Sequence, residues 1–292
     1  MFSCKPKQPR PPRSQPAKKN PVEDVQTRFC KRLLGVRDKT TNWGVTSELG
    51  RFPTVLTIID RMIKFWYHMT QTSSPILKAA LQTSVNLDAS GKRVWFTFLR
   101  RCMKHMGIDH IIYTSDVREI SQQVNTAKQN LKRIALNDWS TAHDHLKTND
   151  SSKLMLFSHI KNNHGYEDYL SSCTNQKSRV ALSKIRISSH NLPVEVGRYM
   201  GMDRHDRLCP FCSTGLGDEQ HYLCECLDPL FSTHRDPLFT HITKKFPNFP
   251  QLSPKDKTTF LLGHKDHLII SKVGKFCHQV MEIFQEFNTK TV

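Results

Sequence analysis

Between Arg207 and Cys226 the chain reads Arg-Leu-Cys-Pro-Phe-Cys-Ser-Thr-Gly-Leu-Gly-Asp-Glu-Gln-His-Tyr-Leu-Cys-Glu-Cys. Cys209 and Cys212 form a C-x2-C pair, a spacing that lets one tight turn present two thiolates to one ion. Eight residues follow, with Gly215 and Gly217 to let the chain reverse, and then comes His221. Asp218 and Glu219 suit the cap and first turn of a helix, where acids complement the helix dipole. The stretch holds one ligand more than a tetrahedral site uses, because both Cys224 and Cys226 follow the histidine. On an ideal α-helix Cys224 shares a face with His221. Cys226 lies about 140° around such a helix and comes within reach when the helix frays or tightens. Either choice gives a thiolate-rich set that suits structural Zn2+, with every position filled by protein.

Nine cysteines in a chain whose first residues are basic, proline-rich and without an apolar run read as thiols of a reducing compartment. The expected location is intracellular, with the nucleus favoured over the cytoplasm. No run is apolar enough to suggest a membrane span. The net charge of +17 points to a polyanionic partner.

Residues 1–24 read as a disordered basic tail, with Pro9, Pro11, Pro12 and Pro16 opposing a helix. Beyond it the apolar spacing is helical. One stripe runs through Val55, Ile58, Ile59, Met62, Trp66 and Met69, and a second through Val94, Trp95, Phe98, Leu99, Cys102 and Met106. The other face of the second carries Arg100, Arg101 and Lys104 with no acid among them, a candidate phosphate contact. A long helix follows Asp116, its expected cap, through Ile120, Ala127, Leu131 and Ile134 to Leu146. Shorter helices are expected over 175–189 and 269–287. The fold class is therefore all-α: a helical bundle with a zinc-stapled loop–helix knuckle. Its divisions are a helical domain over 25–190, a knuckle region over 191–250 and a C-terminal helical segment over 251–292.

Leu192-Pro-Val-Glu-Val-Gly-Arg-Tyr199, the C-x2-C segment and Gly217-Asp-Glu-Gln-His-Tyr-Leu-Cys-Glu-Cys226 together resemble the zinc-knuckle tail of non-LTR (LINE-type) retrotransposon reverse transcriptases. Phe29-Cys-Lys-Arg-Leu-Leu-Gly-Val36 and Glu48-Leu-Gly-Arg-Phe-Pro53 are similar to the stretch after the polymerase core of such proteins. The resemblance implies Cys209, Cys212, His221 and Cys226 as the ligands, and RNA or an RNA–DNA hybrid as partner. Arg198, Arg204 and Arg207 would then contact phosphates, and Tyr199, Phe211 and Tyr222 would stack on bases. Polymerisation needs a close carboxylate pair, and no Asp-Asp occurs in the sequence, so a non-catalytic binding module without a small-molecule substrate is expected. The competing expectation is a protein-interaction scaffold or a retroelement remnant without function.

Overall fold

The computed structural model describes residues 21–114, 116–148 and 152–290. Most of the basic tail, residues 1–20, lies outside the described residues. Pro21–Asp24, read as its end, instead open the first helix, α1 (Pro21–Leu34), with Glu23 and Asp24 in its first turn where they oppose the dipole. The chain continues as α2 (Asn42–Glu48), α3 (Thr54–Gln71), α4 (Pro75–Ala89), α5 (Trp95–His105) and the long α6 (Val117–Lys147). Then come α7 (Met155–Ile160), α8 (Tyr169–Ser172), α9 (Gln176–Arg186), α10 (Pro193–Tyr199), α11 (Pro229–Lys245), α12 (Pro254–Gly263) and α13 (His267–Lys290). Among the described residues there is no strand, only two isolated bridges, and the all-α class holds.

Local chemistry sets several of these boundaries. Asp116 caps α6 as expected, its carboxylate accepting from the N–H groups of Arg118 and Glu119. Asn175 caps α9 by accepting from Ser178 N–H. At the start of α3 the Thr54 N–H donates across to the Glu23 carboxylate of α1 at 2.7 Å, so one helix caps another.

Three apolar clusters organise the helices. α3, α5 and α6 surround Ile63, Trp66, Phe96, Leu99, Met103 and Ile120. α1 and α2 pack Leu34 and Val45 against Phe157 of α7 and against Ile187. The largest cluster is centred on the α9–α13 pair, the most extensive helix contact, with Leu182 and Ile185 against Val273, Phe276 and Val280. It takes residues from Ile160 to Phe284. Two expected stripes are corrected. In α5 the buried face is Phe96, Leu99 and Met103, whereas Phe98 is 47% exposed. Apolar residues lie on both sides of that helix, and spacing alone does not choose between them. In α6 Val117 and Ile134 are exposed, and Ala135 and His143 take the inner positions. Among the described residues no helix is long and apolar enough to cross a membrane.

Arg186, a charged residue at the end of α9, is only 1% exposed. Its guanidinium grips both oxygens of Glu48 at the end of α2, bonds Glu167 at 2.7 Å, and donates to the Leu262 carbonyl of α12. It also lies 5.0 Å from the centre of the Tyr169 ring. Burial opposes the charge, but the carboxylates of Glu48 and Glu167 outweigh it and hold the group protonated. Removing the cation alone strands Glu48, which is fully buried. Arg186→Met is expected to cost about 3–5 kcal/mol in urea unfolding, and Arg186→Met combined with Glu48→Gln to recover part of that loss.

Candidate metal centre

The metal-ligand candidates lie on a short hairpin and the turn after it. Cys209 N–H donates to the Gly215 carbonyl and Gly217 N–H to that of Arg207, both at 2.8 Å, so the two arms pair around the bridge between Leu208 and Leu216. At the tip Ser213 takes a left-handed conformation (φ 59°) and its N–H returns to the Cys209 carbonyl at 2.9 Å. Reversing the chain is not the constraint on the two glycines, since neither has a positive φ. Close approach is: a Cβ at Gly215 would sit 2.5 Å from Cε1 and Nδ1 of His221, and one at Gly217 would sit 2.7 Å from the Pro193 ring.

Asp218 then caps the following turn, accepting from His221 N–H at 3.0 Å. That turn is a π-helix over His221–Glu225, closed by Cys226 N–H donating to the His221 carbonyl at 2.7 Å. An i→i+5 bond widens the turn and returns the residue five places on to the side of the first. The chain therefore reaches Cys226 by widening, not by the fraying or tightening that the sequence suggested. Cys209, Cys212, His221 and Cys226 all place a donor atom within 4.8 Å of one another. Cys224 is turned away and meets the Thr258 hydroxyl of α12 at 3.3 Å, where burial pushes its thiol up to about 11.

The donor geometry fits a four-coordinate ion. The sulfurs of Cys209 and Cys226 are 3.9 Å apart, and Cys212 Sγ is 3.3 Å from His221 Nε2. A tetrahedron with metal–sulfur bonds of about 2.3 Å has edges of roughly 3.5–3.8 Å. Burial and the neighbouring Cys209 sulfur push Cys226 up to about 12. Burial also opposes ionisation of Cys212, but hydrogen bonds from Thr214 and the Gly215 backbone carry it down to about 6. A cation among the sulfurs would favour the thiolate form of the buried Cys226. With Nε2 facing the sulfurs, the other ring nitrogen of His221 lies 3.8 Å from a Glu225 oxygen, a partner that can orient the ring.

Behind the hairpin, Glu219 accepts from the Ser188 hydroxyl at 3.0 Å and meets His190 Nε2 at 2.7 Å. His190 Nδ1 accepts from Leu192 N–H at 3.3 Å, so both ring nitrogens have a partner. This buried link ties the π turn to the end of α9. Its signal in the sequence was faint, because Glu219 serves equally well as an ordinary first-turn acid.

The other residues singled out by sequence are dispersed. Tyr222 is completely buried and has no ring face open to a base; its ring lies 4.8 Å from that of Phe284. Phe211 is packed among Phe231, Phe284 and Phe287. Both belong to the aromatic floor under the hairpin. Arg207 spends its donors on the carbonyls of Val194 and Met202, and its stem covers Gly197. Arg204 lies 3.5 Å from Asp218, Arg198 is 3.2 Å from Glu195, and Arg100 is 2.6 Å from Asp88 of α4. The counter-charge missing along α5 thus comes from the preceding helix. Tyr199 is half-exposed, with Lys153 Nζ at 3.2 Å from its hydroxyl, and Arg101 and Lys104 are exposed on α5.

No protein-family model, curated protein or solved structure matches the chain. The site geometry makes its own prediction. Cys226→Ser is expected to abolish stoichiometric metal binding and Cys224→Ser to leave it intact, read by metal analysis of the purified proteins. Gly215→Ala is expected to weaken binding as well, by forcing the imidazole aside.

Proposed function

We propose that the chain is a non-catalytic, zinc-stabilised module that binds nucleic acid, RNA or an RNA–DNA hybrid. The observation that carries this reading is a closed Cys3His donor set, held by Cys209, Cys212, His221 and Cys226, in a chain of net charge +17. Three thiolates and an imidazole suit zinc over magnesium, calcium or manganese, which prefer oxygen donors. Protein donors fill all four positions, so zinc here neutralises thiolates and shapes the hairpin. The hairpin's sulfurs, with the aromatic floor of Tyr222, Phe231 and Phe284, then form part of the largest core.

The charge supports a polyanionic partner, and Arg101, Lys104 and Tyr199 are the candidate contacts left at the surface. The likeness of the 192–226 motifs to the tails of LINE-type reverse transcriptases supports the same partner class, and we carry a retroelement origin and a nuclear location as parts of the proposal. One observation favours a second reading, a protein-interaction scaffold: Val25, Phe29 and Leu33 of α1 are each more than half exposed.

Fluorescence anisotropy with a labelled single-stranded RNA separates the two. Nucleic-acid binding predicts an affinity that falls roughly tenfold or more between about 50 and 200 mM salt. Self-association or partner capture without RNA binding selects the scaffold. Chelation of the metal is expected to reduce helical circular dichroism and shift thermal unfolding downward, because metal binding and folding of the hairpin are linked.

A further inference from the structure

A groove far along the chain from the metal ligands lies between the start of α3 and one face of α6. Its inner end is a pocket of about 270 Å3, lined by Trp43, Phe52, Ile134, Trp139 and His164 among others. Its outer end, about 570 Å3, shares Phe52 and Leu56 with the pocket and adds Lys128 and Lys132. Lys128, Lys132, Ala135 and Trp139 follow one another at three- and four-residue spacing, so a single helical stripe leads from charge to aromatic ring.

The pocket walls are flat. Trp43 stacks on Trp139 with centroids 5.7 Å apart, and Phe52 stacks on His164 at 4.2 Å. Trp139 Nε1–H is taken by the Ser47 hydroxyl at 2.8 Å. Trp43 Nε1–H is buried without an acceptor among the described residues, and Asp138 places a carboxylate on the same lining. In the outer part the acid Asp60 is paired with Lys64 at 2.7 Å. Lys128 and Lys132 are exposed, and neither forms an ion pair among the described residues.

We propose that this groove seats an unpaired base of single-stranded nucleic acid among Trp43, Phe52, Trp139 and His164, with flanking phosphates held by Lys128 and Lys132. The inner volume is near the lower end of ordinary ligand pockets and suits one ring system. Aromatic walls accept the face of any base, and two cations about 6 Å apart along the helix suit an anion that repeats at short intervals. An apolar peptide side chain would use the rings but leave the lysines without a role. The proposal rests on the nucleic-acid reading above and adds a place to it.

The test compares a labelled single-stranded RNA 10-mer with an abasic strand of equal length on the intact, zinc-loaded chain, by anisotropy. The abasic strand is expected to bind about tenfold more weakly, and Phe52→Leu to remove most of that difference. Lys128→Glu with Lys132→Glu changes exposed positions only and is expected to weaken the natural strand about tenfold, with circular dichroism unchanged. If the chain binds RNA but the abasic strand binds equally well, or the double charge reversal has no effect, the groove proposal falls while the nucleic-acid reading stands. If the chain binds no RNA, both fall. Tight capture of an apolar peptide in the groove, with no competition from RNA, also overturns it.

Discussion

A guanidinium taken out of water is the constraint around which the helices close. Arg186 leaves solvent only because two carboxylates and a carbonyl, from three separate parts of the chain, converge on it. Such a group contributes little net stability over a well-packed apolar replacement, but it is intolerant of a missing partner. That asymmetry makes it a specifier. α2, the loop before α8, and α12 reach low energy together only in one arrangement. Lys161, buried beside it and bonded to Glu167 and to the Gly165 carbonyl at 2.8 Å, extends the same requirement to the segment after α7.

The metal hairpin is joined to this arrangement through Glu219. One carboxylate receives the Ser188 hydroxyl and faces His190, both just beyond the end of α9, while its own backbone leads into the π turn. Ser188 itself is held at φ 50°, a left-handed conformation uncommon for a residue with a Cβ. Strain of this kind persists where surrounding contacts over-determine the backbone. The widened turn at His221–Glu225 is a second departure from regular helix, and it gives Cys226 and Cys224 opposite duties. One faces the other sulfurs; the other faces α12.

What the sequence disclosed follows from which interactions are local. Caps at Asp116 and Asn175 use side chains two or three residues from their partners; the Asp116 cap was legible, as was the start of a helix near 175. So was the α13 stripe of Ile269, Val273, Phe276 and Val280, whose spacing has one solution. The donor cluster was legible as a set, whereas the choice between Cys224 and Cys226 turned on an i→i+5 bond that spacing rules for regular helices do not anticipate. Arg186, Glu48 and Lys161 were not legible as a buried network, because charged residues are ordinarily assigned to solvent and their partners are far apart in sequence. The same distance hid Asp88 as the partner of Arg100. Tyr222 and Phe211 were misplaced for a related reason: aromatics beside a metal hairpin serve equally as contact surface or as floor, and only the packing of α11 and α13 beneath them distinguishes the two.

α6 has 31 residues and extends for about 46 Å. Its early turns, through Ile120 and Ala127, are anchored among α3 and α5, while Leu146 near its end packs with the cluster of α1, α2 and α7. Both outer clusters are therefore threaded on a single rod. α6 thereby ties the packing of α3 and α5 to that of α1, α2 and α7 along one axis.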